Sequence, residues 1–146
     1  MNFYSFLILI GCIISAFFTS NLKAQTFRVT SSHSNGYTTY IEVYEYDYVD
    51  QKPEFPGGGQ SMLNFINEER IYPEEAYLQG IEGRVTCAFI INSDGSVSNI
   101  SIIKGCEPSL NKEAKRIISK MPHWSPGKID NIPVPVRVIC SVPFRK

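Results

Sequence analysis

The sequence predicts an α+β fold, a three-stranded antiparallel sheet with helices packed on one face, in the order α-α-β-β-α-β. Three observations carry this. Val85, Cys87, Phe89 and Ile91 recur at every second residue, the period of a strand with one buried face. Asp94-Gly95 follows, a pair suited to a tight hairpin turn because glycine takes positive φ at no steric cost. Leu110, Ala114, Ile117, Ile118 and Met121 then form one stripe at helical spacing, after which Val134, Val136, Val138, Cys140 and Val142 alternate as a last strand.

The elements follow in order. Pro53-Glu54-Phe55-Pro56-Gly57-Gly58-Gly59 breaks any regular structure. Gln60 to Arg70 carries Met62, Leu63, Phe65 and Ile66 on one side, which predicts a short helix. Pro73 suits a first helical position, Glu74 and Glu75 favour the positive end of the dipole, and Gly80 suits the cap; Pro73–Gln79 is thus a second short helix. After the first strand, a second strand, Val97 to Ile103, folds back through the hairpin, and its apolar phase slips near Val97, as a bulge would produce. The third helix runs Ser109 to Met121: Pro108 and Ser109 suit its start and Pro122 stops it. Lys112, Lys115, Arg116 and Lys120 form its solvated face. Trp124 reads as a core anchor before a turn at Ser125-Pro126-Gly127-Lys128. A strand reached from the hairpin through a helix lies antiparallel to the first, giving sheet order 2-1-3.

The N-terminal part reads as delivery. The chain has 146 residues, enough for one domain plus appendages. Phe3 to Phe18 is almost wholly apolar, and Ala24 precedes Gln25, so residues 1–24 read as a secretory signal. The rivals are an uncleaved inner-membrane anchor, for which the run is short of roughly 20 residues, and a lipidation box at Leu9-Ile10-Gly11-Cys12. All three export the rest of the chain. Residues 25–52 form either a tether or an extra β-hairpin: Phe27 and Val29 alternate, Asn35-Gly36 could turn, and Tyr44, Tyr46 and Tyr48 share one face with Glu45 and Asp47 on the other. Residues 53–146 form the domain.

The composition excludes several classes. The formal net charge is +0, which gives no electrostatic case for nucleic acid or for a membrane surface. The glycine-rich break lacks the Gly-Lys-Ser/Thr ending of a phosphate loop. His33 and His123 have no acid or nucleophile at a recognisable spacing, so the reading is no catalytic residue, no cofactor and no metal site. Without Cys12, three cysteines remain: Cys87, Cys106 and Cys140. Cys87 and Cys140 fall at inward positions of neighbouring strands, where a bridge could form; the simpler reading is small buried apolar side chains.

Prolines locate an edge. Pro133, Pro135 and Pro143 all occupy odd positions of the last strand, and proline has no N–H for a ladder. Odd residues therefore turn their backbone groups away from the first strand. The strand is an edge, with donors at Arg137, Ile139 and Ser141 and with Val138 on the packed face. The prolines either blunt this edge against aggregation or frame a window for an added strand.

At this point the residues carry a resemblance. Phe55-Pro56-Gly57-Gly58, Tyr72-Pro73, Gly80-Ile81-Glu82-Gly83-Arg84-Val85, Asp94-Gly95, Met121-Pro122, Trp124-Ser125-Pro126-Gly127-Lys128 and Pro133-Val134 together resemble the C-terminal domain of the TonB energy-transducer family, over roughly Pro53 to Phe144. The resemblance implies a non-enzymatic periplasmic domain that grips the N-terminal segment of a TonB-dependent outer-membrane transporter by strand addition. An inner-membrane motor would pull through it if the chain is anchored. It implies partner contacts at Arg137, Ile139, Ser141 and Val138, and in the loop at Glu69, Arg70 and Tyr72. The chain lacks the family's long Pro-rich spacer. The alternative is an exported protein-binding or assembly module of the same fold with no energy-transducing role.

Overall fold

The computed structural model describes residues 26–32 and 38–146. The expected signal at 1–24 and the Asn35-Gly36 turn lie outside the described residues. The elements are β1 (Thr26–Ser32), β2 (Thr38–Glu45), a 3₁₀ turn (Tyr46–Tyr48), α1 (Gly58–Glu69), α2 (Glu74–Leu78), β3 (Gly83–Ile91), β4 (Val97–Lys104), α3 (Pro108–Ser119), β5 (Gly127–Ile129), β6 (Ile132–Val134) and β7 (Val136–Phe144).

The expected antiparallel trio is present: β3 pairs with β4 on one side and with β7 on the other, which is the order 2-1-3. A three-stranded antiparallel sheet is nevertheless too small a description. The sheet has five strands in the order β1-β2-β7-β3-β4, and it is mixed, because β2 joins β7 in parallel. The physical reason lies in the N-terminal strands. β1 and β2 pair antiparallel from Thr26↔Tyr44 to Ser32↔Thr38, and β2 then continues its ladder onto β7 through Tyr44↔Val136 and Glu45↔Arg137. The tyrosine alternation ends early: after Glu45 the chain leaves the strand for the 3₁₀ turn, where Lys52 Nζ donates to the Tyr46 and Val49 carbonyls at 2.7 and 3.0 Å.

The phase slip in β4 has its cause in two register shifts against β3. One lies between Ala88 and Ile90, opposite Asn99, whose φ is 51°; the other lies between Thr86 and Cys87. The extra residue brings Val97, Ile100 and Ile102 onto one face against the core. The expected single last strand is split instead. β5 and β6 form a small separate hairpin turned by Asp130 and Asn131, both at positive φ (50° and 62°), and Pro135 separates β6 from β7. The expected turn at Ser125–Lys128 is therefore partly strand. α3 starts one residue early because Glu107 caps it, its carboxylate accepting from the Ser109 and Leu110 N–H groups at 2.9 and 3.2 Å.

The helices lie on one face of the sheet, as expected. Ile66 of α1, Ala76 of α2 and Leu110, Ala114, Ile117 and Ile118 of α3 form one core with Val85, Cys87, Phe89 and Ile91 of β3 and Val138, Cys140, Val142 and Phe144 of β7. Trp124 closes one end of it, with Phe55 and Phe89 at edge-on centroid distances of 5.5 and 5.9 Å. Cys87 and Cys140 are directly opposite in register, both are buried, and both are free thiols. Burial, with Cys140 close by, pushes the Cys87 thiol up to about 11.

Candidate functional site

The site is the outer edge of β7. Its direction is fixed by two carbonyls. Pro135 O accepts from the Tyr44 N–H at 2.9 Å, and Pro143 O accepts from the Arg70 guanidinium at 2.8 Å. Both are odd residues facing away from β3, so the backbone groups of the odd residues point outward, as the proline spacing implied. The expectation that β7 is a bare edge with three donors is corrected. β2 covers its beginning, where Arg137 is in register with Glu45 and their side chains pair at 3.3 Å. The open stretch is shorter. It holds Ile139, which is 56 % exposed, and Ser141, and no strand among the described residues lies beside it.

The other expected contact residues divide. Val138 faces inward and is buried. Ser141 Oγ shares a 3.1 Å hydrogen bond with Thr86 Oγ1 on the face away from the helices. Arg70 reaches the strand end and ties it to α1 through Asn67. Glu69 turns the other way, to Lys120 at 3.1 Å and Arg116 at 3.6 Å. Tyr72 is spent on the fold: its hydroxyl donates to the Ile81 carbonyl, its ring meets Phe144 edge-on, and burial pushes its phenol pKa up. The structure thus gathers Arg137, Val138, Ile139, Ser141 and Arg70 along one strand and leaves Glu69 and Tyr72 in the wall behind it.

That wall is pinned by Glu113, a buried carboxylate of α3. It accepts from the Ile71 N–H at 2.8 Å and from Arg116 at 2.7 Å. Burial alone would raise its pKa; the Arg116 and Ile71 hydrogen bonds outweigh that and hold it below the usual carboxylate range.

Beside the open stretch, on the helix side, lies a groove of about 760 Å³. Phe55, Met62 and Trp124 line it together with Val138 and Cys140, and Glu45, Asp47, Lys52, Glu54 and Arg137 stand around it. Of these, sequence reasoning named only Val138 and Arg137 as site residues and missed the rest. The loop that carries them runs along the β5 segment through Gln51↔Lys128 and Glu54↔Ser125, a pairing with no periodic signal. Among the described residues no group of His, Cys, Asp and Glu could hold a metal ion, and no helix is long and apolar enough to cross a membrane.

These features define a class: a small α+β domain with its helices on one face of a mixed sheet and a short open strand edge beside an apolar groove. The chain belongs to the family described as Gram-negative bacterial TonB protein C-terminal, whose profile matches residues 68–145. Two curated relatives, both Protein TonB from strains of Helicobacter pylori, are 32 % identical over 78 residues, which is 53 % of this chain. The match spans only 28 % and 27 % of their lengths. Among solved structures, a Helicobacter pylori TonB C-terminal domain is 26 % identical, with 60 % of this chain and 78 % of that one covered and a TM-score of 0.48. A Pseudomonas aeruginosa TonB C-terminal domain is 28 % identical, with 53 % and 78 % covered and a TM-score of 0.42.

Proposed function

We propose that this domain binds a short extended segment of an outer-membrane transporter in the periplasm, by adding that segment as a strand along β7, within TonB-dependent transport. The observation that carries the reading is the uncovered edge at Ile139 and Ser141, bounded by β2 at one end and by Arg70 on Pro143 O at the other. Family membership supports it, since the matched segment, 68–145, contains the whole edge. Main-chain hydrogen bonds would supply affinity in a site of this kind.

The test is calorimetry of the full chain with synthetic N-terminal segments of candidate transporters. Binding should be lost in Ile139→Pro, which deletes a central outward donor, while a thermal melt shows the domain folded. Retained affinity in a folded Ile139→Pro variant would move the site elsewhere. Intact-mass analysis of the protein from its native envelope decides whether residues 1–24 stay attached, and so whether a membrane motor could pull on it. Failure of every transporter segment to bind would favour the exported assembly module.

A further inference from the structure

Resting on that strand-addition reading, we propose that the groove beside β7 is a specificity pocket for a partner segment carrying a large aromatic side chain two residues away from a lysine or arginine. The argument begins with strand geometry. A strand added along Ile139 and Ser141 alternates its side chains, and every second one falls on the helix side, next to Val138 and Cys140. That is where the groove lies. Its volume of about 760 Å³ is in the range of ligand pockets rather than of packing defects. Its apolar lining comes from Phe55, Met62 and Trp124, with the Phe55 and Trp124 rings edge-on at 5.5 Å. Another aromatic ring suits such walls better than an aliphatic chain, because edge-to-face packing adds to the buried area. Trp124 is 7 % exposed, and its Nε1–H is buried with no acceptor among the described residues.

The charge at the rim selects the second feature. Arg137 is paired with Glu45, and Lys52 donates to the Tyr46 and Val49 carbonyls. Asp47 and Glu54 line the same groove, both exposed, and their carboxylates have no ionic or hydrogen-bond partner among the described residues. A cation from the partner supplies what they lack. Residues two apart on a strand share a face, so an aromatic side chain and a cation at that spacing can enter the groove and meet its rim together.

Trp124 is the only tryptophan of the chain, so its fluorescence reports the groove directly. The probe is an acetylated, amidated heptapeptide, Thr-Val-Phe-Thr-Lys-Val-Thr, titrated into the full chain. The expected result is a saturable change in emission. Replacing the peptide's Phe by Ala should weaken binding by about tenfold or more, the effect of removing a buried aromatic side chain. Replacing its Lys by Glu should weaken it several-fold, and the double variant Asp47→Lys, Glu54→Lys should reverse that preference. Equal affinity for all three peptides, with binding still abolished by Ile139→Pro, would overturn the pocket and leave strand addition standing. Side-chain preferences that persist in a folded Ile139→Pro variant would do the opposite. No binding by any peptide would remove both.

Discussion

The two sides of β7 are built for different ends. Its inner side pairs with β3 in an unbroken register from Gly83↔Phe144 to Ile91↔Val136, and its inward side chains Val138, Cys140 and Val142 are buried. Its outer side meets β2 over two residue pairs only and then opens at Ile139. One strand thus has a ladder side that holds the fold and a side left uncovered at Ile139 and Ser141, the side to which the proposed strand addition is assigned. The difference is carried by single-residue parity: neighbouring positions on β7 belong to different tasks.

Adjacent prolines would break this contrast most severely. Cys140→Pro removes a ladder donor toward β3 and forces a ring into the core, so it should cost about 3 kcal/mol or more; urea titration should find the domain largely unfolded. Next in size is Trp124→Ala. It empties the core end between Phe55 and Phe89 and should cost about 3–5 kcal/mol in thermal or denaturant melts. Glu113→Gln weakens the clamp behind the edge and should cost about 1–3 kcal/mol at neutral pH. Its pH dependence has a definite sign. The folded pKa of Glu113 is depressed, so its contribution is full above the ordinary glutamate range near ~4.3 and is lost as pH falls through the folded value. Melts from pH 7 downward should therefore show a shallower acid loss in Glu113→Gln than in the parent. Arg137→Ala breaks an ion pair whose members are 35 % and 38 % exposed, and should change stability by about 0–1 kcal/mol. Smallest of all in stability is Ile139→Pro, expected under about 1 kcal/mol because its outward N–H has no strand to bond; its effect should appear in peptide affinity alone.

Much of this contrast was readable in the residues. The alternation in β3 and β7, the stripe in α3 and the odd-numbered prolines each reflect local geometry, and each led to the right pairing or direction. What escaped has a common cause. The parallel joint between β2 and β7 connects Glu45 to Arg137 across most of the chain, and no local period records a partner that distant. The groove depends on a loop laid against Ser125 and Lys128 by two isolated bridges. The Asp130-Asn131 turn leaves a weaker signal than Asp94-Gly95, because its residues tolerate positive φ less freely than glycine does. Gly95 shows the stronger case: at φ 86°, a Cβ there would lie 2.1 Å from the Trp124 carbonyl oxygen.

The β1–β2 hairpin has a mechanical consequence. Thr26 is in register with Tyr44, so the chain enters the sheet beside the place where β2 is fastened to β7. A load applied at Thr26 against a held core therefore pulls on both ends of one hairpin from the same side. Its ladder opens bond by bond, as a zipper does, rather than shearing all at once. Full opening lengthens the path from residue 26 to residue 44 to about 60 Å, at about 3.5 Å per residue, and until then the tension passed on to β7 is limited to the force that unzips the ladder. The hairpin is slack that yields first, and the helix-backed core meets a higher load only after it has run out.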